Sequence, residues 1–149
     1  MKQVLIATDG SPSAEEAVEV GLELAKEQGA DVTFVHVTEP EEFHGGRSGT
    51  VPITHTEEID ESETALKDAA QAAENAGVSY ALERISGETV DTIVALADQK
   101  NADLIVLGSR GRNALATALL GSVSHGVLRH ASRPVLVVKT AKTSAETTA

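Results

Sequence analysis

The sequence contains no cysteine, which excludes disulfides, thiol catalysis and cysteine-ligated zinc. No apolar run approaches the ~18 residues of a membrane span. The opening MKQVLIATDGS passes from one lysine directly into a strand-like run, without the core and cleavage site of a secretory signal. There is also no Asn-x-Ser/Thr glycosylation acceptor. A cytoplasmic chain with no membrane partner is therefore expected. Familiar nucleotide signatures are missing as well. G-x-x-x-x-G-K-[ST] does not occur, and the first turn, TDGSPSA, has one glycine where a dinucleotide fold needs three. A phospho-receiver would need an acidic pair after strand one and an acceptor aspartate after strand three, where this chain offers Asp9 and then ISG. No Ser-His-Asp or Cys-His grouping is legible, so binding is favoured over catalysis.

What is present suits one compact domain: 149 residues, 41% of them hydrophobic. The net charge is -11, but it is unevenly placed. Residues 1 to 100 hold 21 Asp/Glu against 6 Lys/Arg, and residues 101 to 149 hold 2 against 6. The acidic body disfavours nucleic acid and anionic membranes as partners, because both are polyanions. The basic remainder serves something local.

Apolar β-rich runs alternate with amphipathic stretches along the chain. KQVLIAT (2 to 8) reads as a strand closed by Asp9-Gly10. Ser11 caps a helix with Pro12 at its first position, and Gly29 ends it. DVTFVHV (31 to 37) is a second strand, and residues 38 to 57 read as a long loop. A helix from about Glu58 to Ala76 leads to VSYALER, whose alternation suits a sheet edge. Another helix with Val90, Ile93, Val94 and Ala97 on one face precedes LIVLG, a strand buried on both sides. SVSHGVLRHA (122 to 131) is a short helix and RPVLVVK a fifth strand. Together they predict a single α/β domain over residues 1 to 140, a five-stranded parallel doubly wound sheet of order 3-2-1-4-5, with 141 to 149 as a disordered tail.

Ligands of such sheets bind beyond the strand carboxyl ends, where strand order reverses. Here that point falls between strands one and four, which end in Asp9-Gly10 and Gly108. The stretch after strand four, GSRGRNALATALLGS (108 to 122), has three glycines, two arginines and no acid. Gly108 and Gly111 let the backbone take positive φ and approach a ligand closely. Gly121-Ser122-Val123-Ser124 opens a helix with unpaired N–H groups and two hydroxyls, an anion site to which Arg110 and Arg112 can add charge.

This constellation resembles the universal stress proteins, whose nucleotide-binding members carry G-x2-G-x9-G-[ST]; here it is Gly108-x2-Gly111-x9-Gly121-Ser122. The likeness extends from VLIATDGS through VTFVHV to GSVSHGVLRHASRPVLVV. It implies an adenine-nucleotide site, for ATP or else ADP or AMP. Gly108, Gly111, Gly121 and Ser122 would wrap the phosphates, Asp9 would lie at the ribose and Mg side, and the segment at Val37 would meet the adenine. Val123 and Ser124 would add phosphate contacts through N–H or hydroxyl. Residues 113 to 118 carry no charge to add. The resemblance also implies a homodimer, and strand five, at a sheet edge (134 to 139), is the expected seam. A stress-response sensor or regulator with an unidentified protein partner is the favoured reading, and a slow Mg-dependent ATPase or a nucleotide-free interaction protein are the alternatives.

The remaining candidates have plainer readings. His36, inside a strand, is expected to be structural. His44 and His55 in the long loop lack a third metal ligand nearby, and His125 and His130 do not share a helix face. Arg129 and Arg133 suit a helix C-terminus or surface pairs.

Overall fold

A computed structural model describes residues 1–40, 55–110 and 120–139. The elements run β1 (Gln3–Ala7), α1 (Pro12–Gln28), β2 (Asp31–Thr38), α2 (His55–Ala76), β3 (Tyr80–Ser86), α3 (Thr89–Gln99), β4 (Leu104–Gly108), α4 (Ser122–His130) and β5 (Val135–Val138). All four strand pairings are parallel, and the sheet order is β3-β2-β1-β4-β5. The α/β architecture and strand order expected from the alternating pattern are the ones found.

β1 shows why a continuous apolar run becomes a central strand. Its neighbours β2 and β4 flank it on both sides, Leu5 lying opposite Thr33 and Ile105, and Val4, Leu5 and Ile6 are all fully buried. Alternate side chains serve different layers. Val4 and Ile6 join Val32, Phe34, Ala17, Leu22 and Ala73 beneath α1 and α2. Leu5 joins Val35, Ile105, Ile93 and Val127 beneath α3 and α4. Each inward position removes apolar area from water at about 25 cal/mol per Å².

The helix ends follow local chemistry. Ser11 caps α1, its hydroxyl accepting from the Ala14 N–H at 3.2 Å, and Gly29 ends the helix in the left-handed region at φ 68°. Glu88 caps α3, its carboxylate accepting from the Asp91 N–H at 2.7 Å. Gly126 of α4 faces Val90 of α3, where a Cβ would lie 2.7 Å from Val90 Cγ2, so these helices pack with little between them. Asp103 holds the start of β1 by accepting from the N–H groups of Lys2 (2.7 Å) and Gln3 (3.0 Å), which keep its carboxyl below the usual aspartate value. Arg133 pairs with Asp98 at 3.0 Å and, with a hydrogen bond from Ser132, lowers that carboxyl as well.

Several boundaries differ from the sequence reading. α2 begins at His55 rather than near Glu58, so His55 is helical and not part of a loop. Residues 41–54, the rest of the expected loop, lie outside the described residues, as do His44 and residues 140–149. β3 runs two residues beyond Arg84, because its ladder with β2 continues to Thr38 opposite Ser86. As the alternation of VSYALER suggested, β3 is one edge of the sheet, and β5 is the other.

Candidate functional site

β1 and β4 are neighbours whose chains leave in opposite directions. β1 feeds α1 on one face of the sheet, and α4, which packs against α3, lies on the other. The crevice between the two exits is therefore built by topology, and local chemistry shapes its walls.

At the end of β1, Thr8 extends the pairing by donating its N–H to the Val35 carbonyl at 2.9 Å. The chain then turns sharply, with Gly10 at φ 81°. Asp9 holds that turn, its Oδ1 accepting from the Ser11 N–H at 2.9 Å. His36, buried in β2, places Nδ1 3.0 Å from the Thr8 carbonyl, in keeping with a structural histidine. A carbonyl can only accept, so that nitrogen carries the proton.

At the end of β4, Gly108 sits against the first turn of α1. A Cβ there would run into Ser13, meeting its Oγ and lying 2.7 Å from its carbonyl oxygen and 2.8 Å from its carbonyl carbon. This corrects one part of the sequence reading: Gly108 is absent from the positive-φ glycines, and its missing Cβ leaves room for the Ser13 backbone. The Ser13 hydroxyl also accepts from the Arg110 N–H at 3.3 Å. Ser109, 2% exposed, donates its N–H to the Val138 carbonyl, and its own carbonyl accepts from the Gly121 N–H at 2.6 Å and from the Ser124 hydroxyl at 3.0 Å.

Those bonds place the start of α4 beside the crevice. Gly121 is the N-cap, at φ -77° and ψ 171°, and among the described residues no side chain caps the helix. Ser122 is the first helical residue and not its cap. Helix geometry leaves the N–H groups of Ser122, Val123 and Ser124 without an intrahelical acceptor, and the helix dipole adds partial positive charge there. The Ser124 hydroxyl, by contrast, is engaged with the carbonyls of Ser109 and Gly121 (3.1 Å), so Ser124 has its backbone N–H to offer a ligand.

Six of the residues picked from sequence line one cleft at this point: Asp9, Val37, Gly108, Arg110, Val123 and Ser124. Gly121 and Ser122 stand at the helix end that borders it. Gly111 and Arg112 lie outside the described residues. The sequence reading did not find Thr8, Val35, Thr89 and Ile93, which also line the cleft. Thr8 had a signal, since it directly precedes Asp9. The other three arrive from β2 and α3 and share no local pattern with the glycine motif.

The cleft's charged lining residues are Asp9 and Arg110. Arg110 and the start of α4 lie at the β4 side. At the β2 side the carboxylate of Glu39 accepts from both the N–H (3.2 Å) and the hydroxyl (2.7 Å) of Thr89, beside the Glu88 cap. Among the described residues no three His, Cys, Asp or Glu side chains gather as a metal site. A cation such as Mg2+ would fit only through one carboxylate plus ligand phosphates, and Asp9 is the carboxylate in place.

The fold is that of a doubly wound α/β domain with the start of α4 at its switch point. The sequence model of the Universal stress protein family matches residues 1–139, and the chain belongs to that family. A universal stress protein of Methanocaldococcus jannaschii is 37% identical over 142 residues, covering 95% of this chain and 84% of the relative. A universal stress protein solved in complex with cAMP aligns at TM-score 0.69 and 30% identity, covering 94% of this chain and 98% of the other. The universal stress protein of Archaeoglobus fulgidus in complex with dAMP aligns at TM-score 0.70 and 28% identity, covering 93% and 98%. Among the described residues no helix is long and apolar enough to cross a membrane.

Proposed function

We propose that this protein binds an adenine nucleotide, ATP with Mg2+, and acts as a cytoplasmic homodimeric stress sensor or regulator. The observation that carries the reading is the N-terminus of α4 beside a cleft lined by Arg110, Asp9 and apolar side chains of β2 and α3. Phosphates are drawn to the N–H groups of Ser122, Val123 and Ser124 and to Arg110. Val35, Val37 and Ile93 supply apolar surface for a base. The cAMP and dAMP held by the two structural relatives support the adenine part. Gly111 and Arg112 join the phosphate end in this proposal. The acidic body supports a role without nucleic acid or membrane partners; an unidentified protein would read the bound state.

One observation favours a second, weaker activity. Asp9 has Oδ1 committed to Ser11, which leaves Oδ2 for a magnesium ion or a ribose hydroxyl. That arrangement positions charge but does not aim a water at a terminal phosphate, so hydrolysis is expected to be slow. Equilibrium titration with Mg-ATP, followed by phosphate release from the same sample, checks both statements. Saturable binding with a kcat below ~1 s⁻¹ is expected, the low edge of ordinary enzyme turnover. Absence of binding would leave an interaction protein without nucleotide, and faster turnover would make it an ATPase.

The exposed edge of β5 supports dimerisation through that strand. Among the described residues its outer edge is unpaired, and Val135, Leu136 and Val137 are only half-buried. Pairing with a second copy would satisfy the backbone and cover the valines. Val137→Lys is expected to convert a dimer into a monomer in sedimentation at micromolar concentration. A dimer that persists in this variant places the seam elsewhere.

A further inference from the structure

β3 is one edge of the sheet, and its inward and outward backbone groups can be told apart. In a parallel pair, every second residue of a strand bonds to its neighbour through both its N–H and its carbonyl. The Ser79 carbonyl accepts from the Val32 N–H at 3.0 Å and the Gly87 N–H donates to the Thr38 carbonyl at 2.9 Å, so the odd-numbered residues serve β2. The N–H and carbonyl groups of Leu82 and Arg84 therefore face outward. The side chains of the same two residues line a groove whose other wall is one face of α2, made by Glu63, Leu66, Lys67 and Ala70. Leu82 is 43% exposed there, beside the buried Leu66. Strand edges are commonly blunted by a charge, a bulge or a cover, and an apolar side chain in the middle of one invites a partner.

The groove is also a cationic place on an acidic body. Residues 1 to 100 hold 6 Lys/Arg against 21 Asp/Glu, and two of those six cations line this one groove. Arg84 meets Glu63 only at 3.9 Å with both side chains exposed, a pair of little strength. Among the described residues Lys67 has no ion-pair partner.

We propose that this edge takes up an extended segment of a partner protein, added as a strand beside β3, with apolar and acidic side chains in turn on its face toward α2. Side chains two apart along a strand share a face, so an apolar residue meets Leu82 and Leu66 while the next on that face, an aspartate or glutamate, meets Arg84 and Lys67. Backbone bonds to Leu82 and Arg84 hold the segment, and the charge selects it. A second copy of this chain fits less well. With β5 the proposed seam between two copies, self-pairing of β3 as well would link dimers into an open chain. The groove shares no lining residue with the cleft at the switch point, so the inference is independent of the nucleotide reading.

The probe is a threonine-rich peptide in which every second residue is valine or glutamate in turn, compared with the same peptide carrying lysine for glutamate. The whole chain is expected to bind the acidic peptide about tenfold or more tighter, because each side-chain charge turns from attracted to repelled. With the acidic peptide bound, hydrogen exchange slows at the Leu82 and Arg84 amides and stays level at Glu83, whose N–H already serves β2. Lys67→Glu, on the exposed face of α2, should weaken the acidic peptide about tenfold, and the pair Lys67→Glu and Arg84→Glu should reverse the order of the two peptides. Absence of acidic-peptide binding, equal binding of both peptides, or unchanged exchange at Leu82 and Arg84 overturns the proposal. A Leu82→Lys variant that sediments as a smaller assembly than the wild type gives the edge to a second copy and overturns the choice of partner.

Discussion

Gly121→Glu is expected to lower ATP affinity by about 100-fold or more in a protein that still folds. The backbone at Gly121 is extended, at φ -77° and ψ 171°, a conformation open to any residue, so the substitution meets no conformational penalty. The chain itself shows what a glutamate does at such a position. Glu88 is the N-cap of α3, and its carboxylate turns back to accept from the Asp91 N–H three residues on, at 2.7 Å. A glutamate at 121 can reach the Ser124 N–H in the same way. The new carboxylate would occupy one of the donors proposed for the phosphates and set a like charge against the rest. Each hydrogen bond to a charged group contributes about 1.5–3 kcal/mol, and losing one with added repulsion exceeds the roughly 2.7 kcal/mol of a 100-fold change. Helix stability would rise or stay level, since an acid at a helix N-terminus is favourable. Gly121→Ala, which adds bulk without charge, should lose far less. The comparison requires titration with Mg-ATP and a thermal melt of each variant. Full affinity in a folded Gly121→Glu protein would remove the start of α4 from the binding site.

Gly108→Ala is expected to destabilise the fold by about 1–3 kcal/mol, the range for forcing atoms into a packed site. The neighbours that its Cβ would meet are the carbonyl carbon and oxygen of Ser13, in the first turn of α1, at 2.8 and 2.7 Å. Backbone cannot rotate away as a side-chain tip can. Relief requires moving α1 off β4, which also pulls Ser13 from the Arg110 N–H. Gly21 is the useful contrast. A Cβ there would approach Ile6 Cδ1 at 2.5 Å, the far end of a flexible side chain, so Gly21→Ala should be tolerated better. Urea unfolding of the two variants measures the difference. Equal midpoints would mean that the α1–β4 approach is looser than the distances imply.

The sheet order was legible because each link in it has a local cause. Apolar runs such as VLIA and LIVL are long enough for a strand and too short for a helix, and parallel strands require the crossovers that the amphipathic stretches provide. The switch point followed from that order, and the uncapped start of α4 followed from Gly121 standing where a serine or aspartate would cap. Less visible was why Gly108 is glycine. Its constraint comes from Ser13, 95 residues earlier, and nothing in the local spacing distinguishes a need for positive φ from a need for close approach. Thr89 and Glu39 were missed for the same kind of reason. They meet because β2 and β3 pair in register to Thr38 and Ser86, which brings the residues just beyond them together. Helix α2 was expected to begin later because threonine and histidine at 54 to 56 give a weak start signal.

The Ser109 carbonyl, shared by the Gly121 N–H and the Ser124 hydroxyl, works as a clasp on the stretch between residues 109 and 121. Once the clasp is shut, the start of α4 is tied to Ser109 and, through Val138, to the sheet. Closing a span twice as long would cost only about 0.6 kcal/mol more. The N–H groups of α4 are therefore held to the same frame as the sheet, whatever length of chain the clasp encloses.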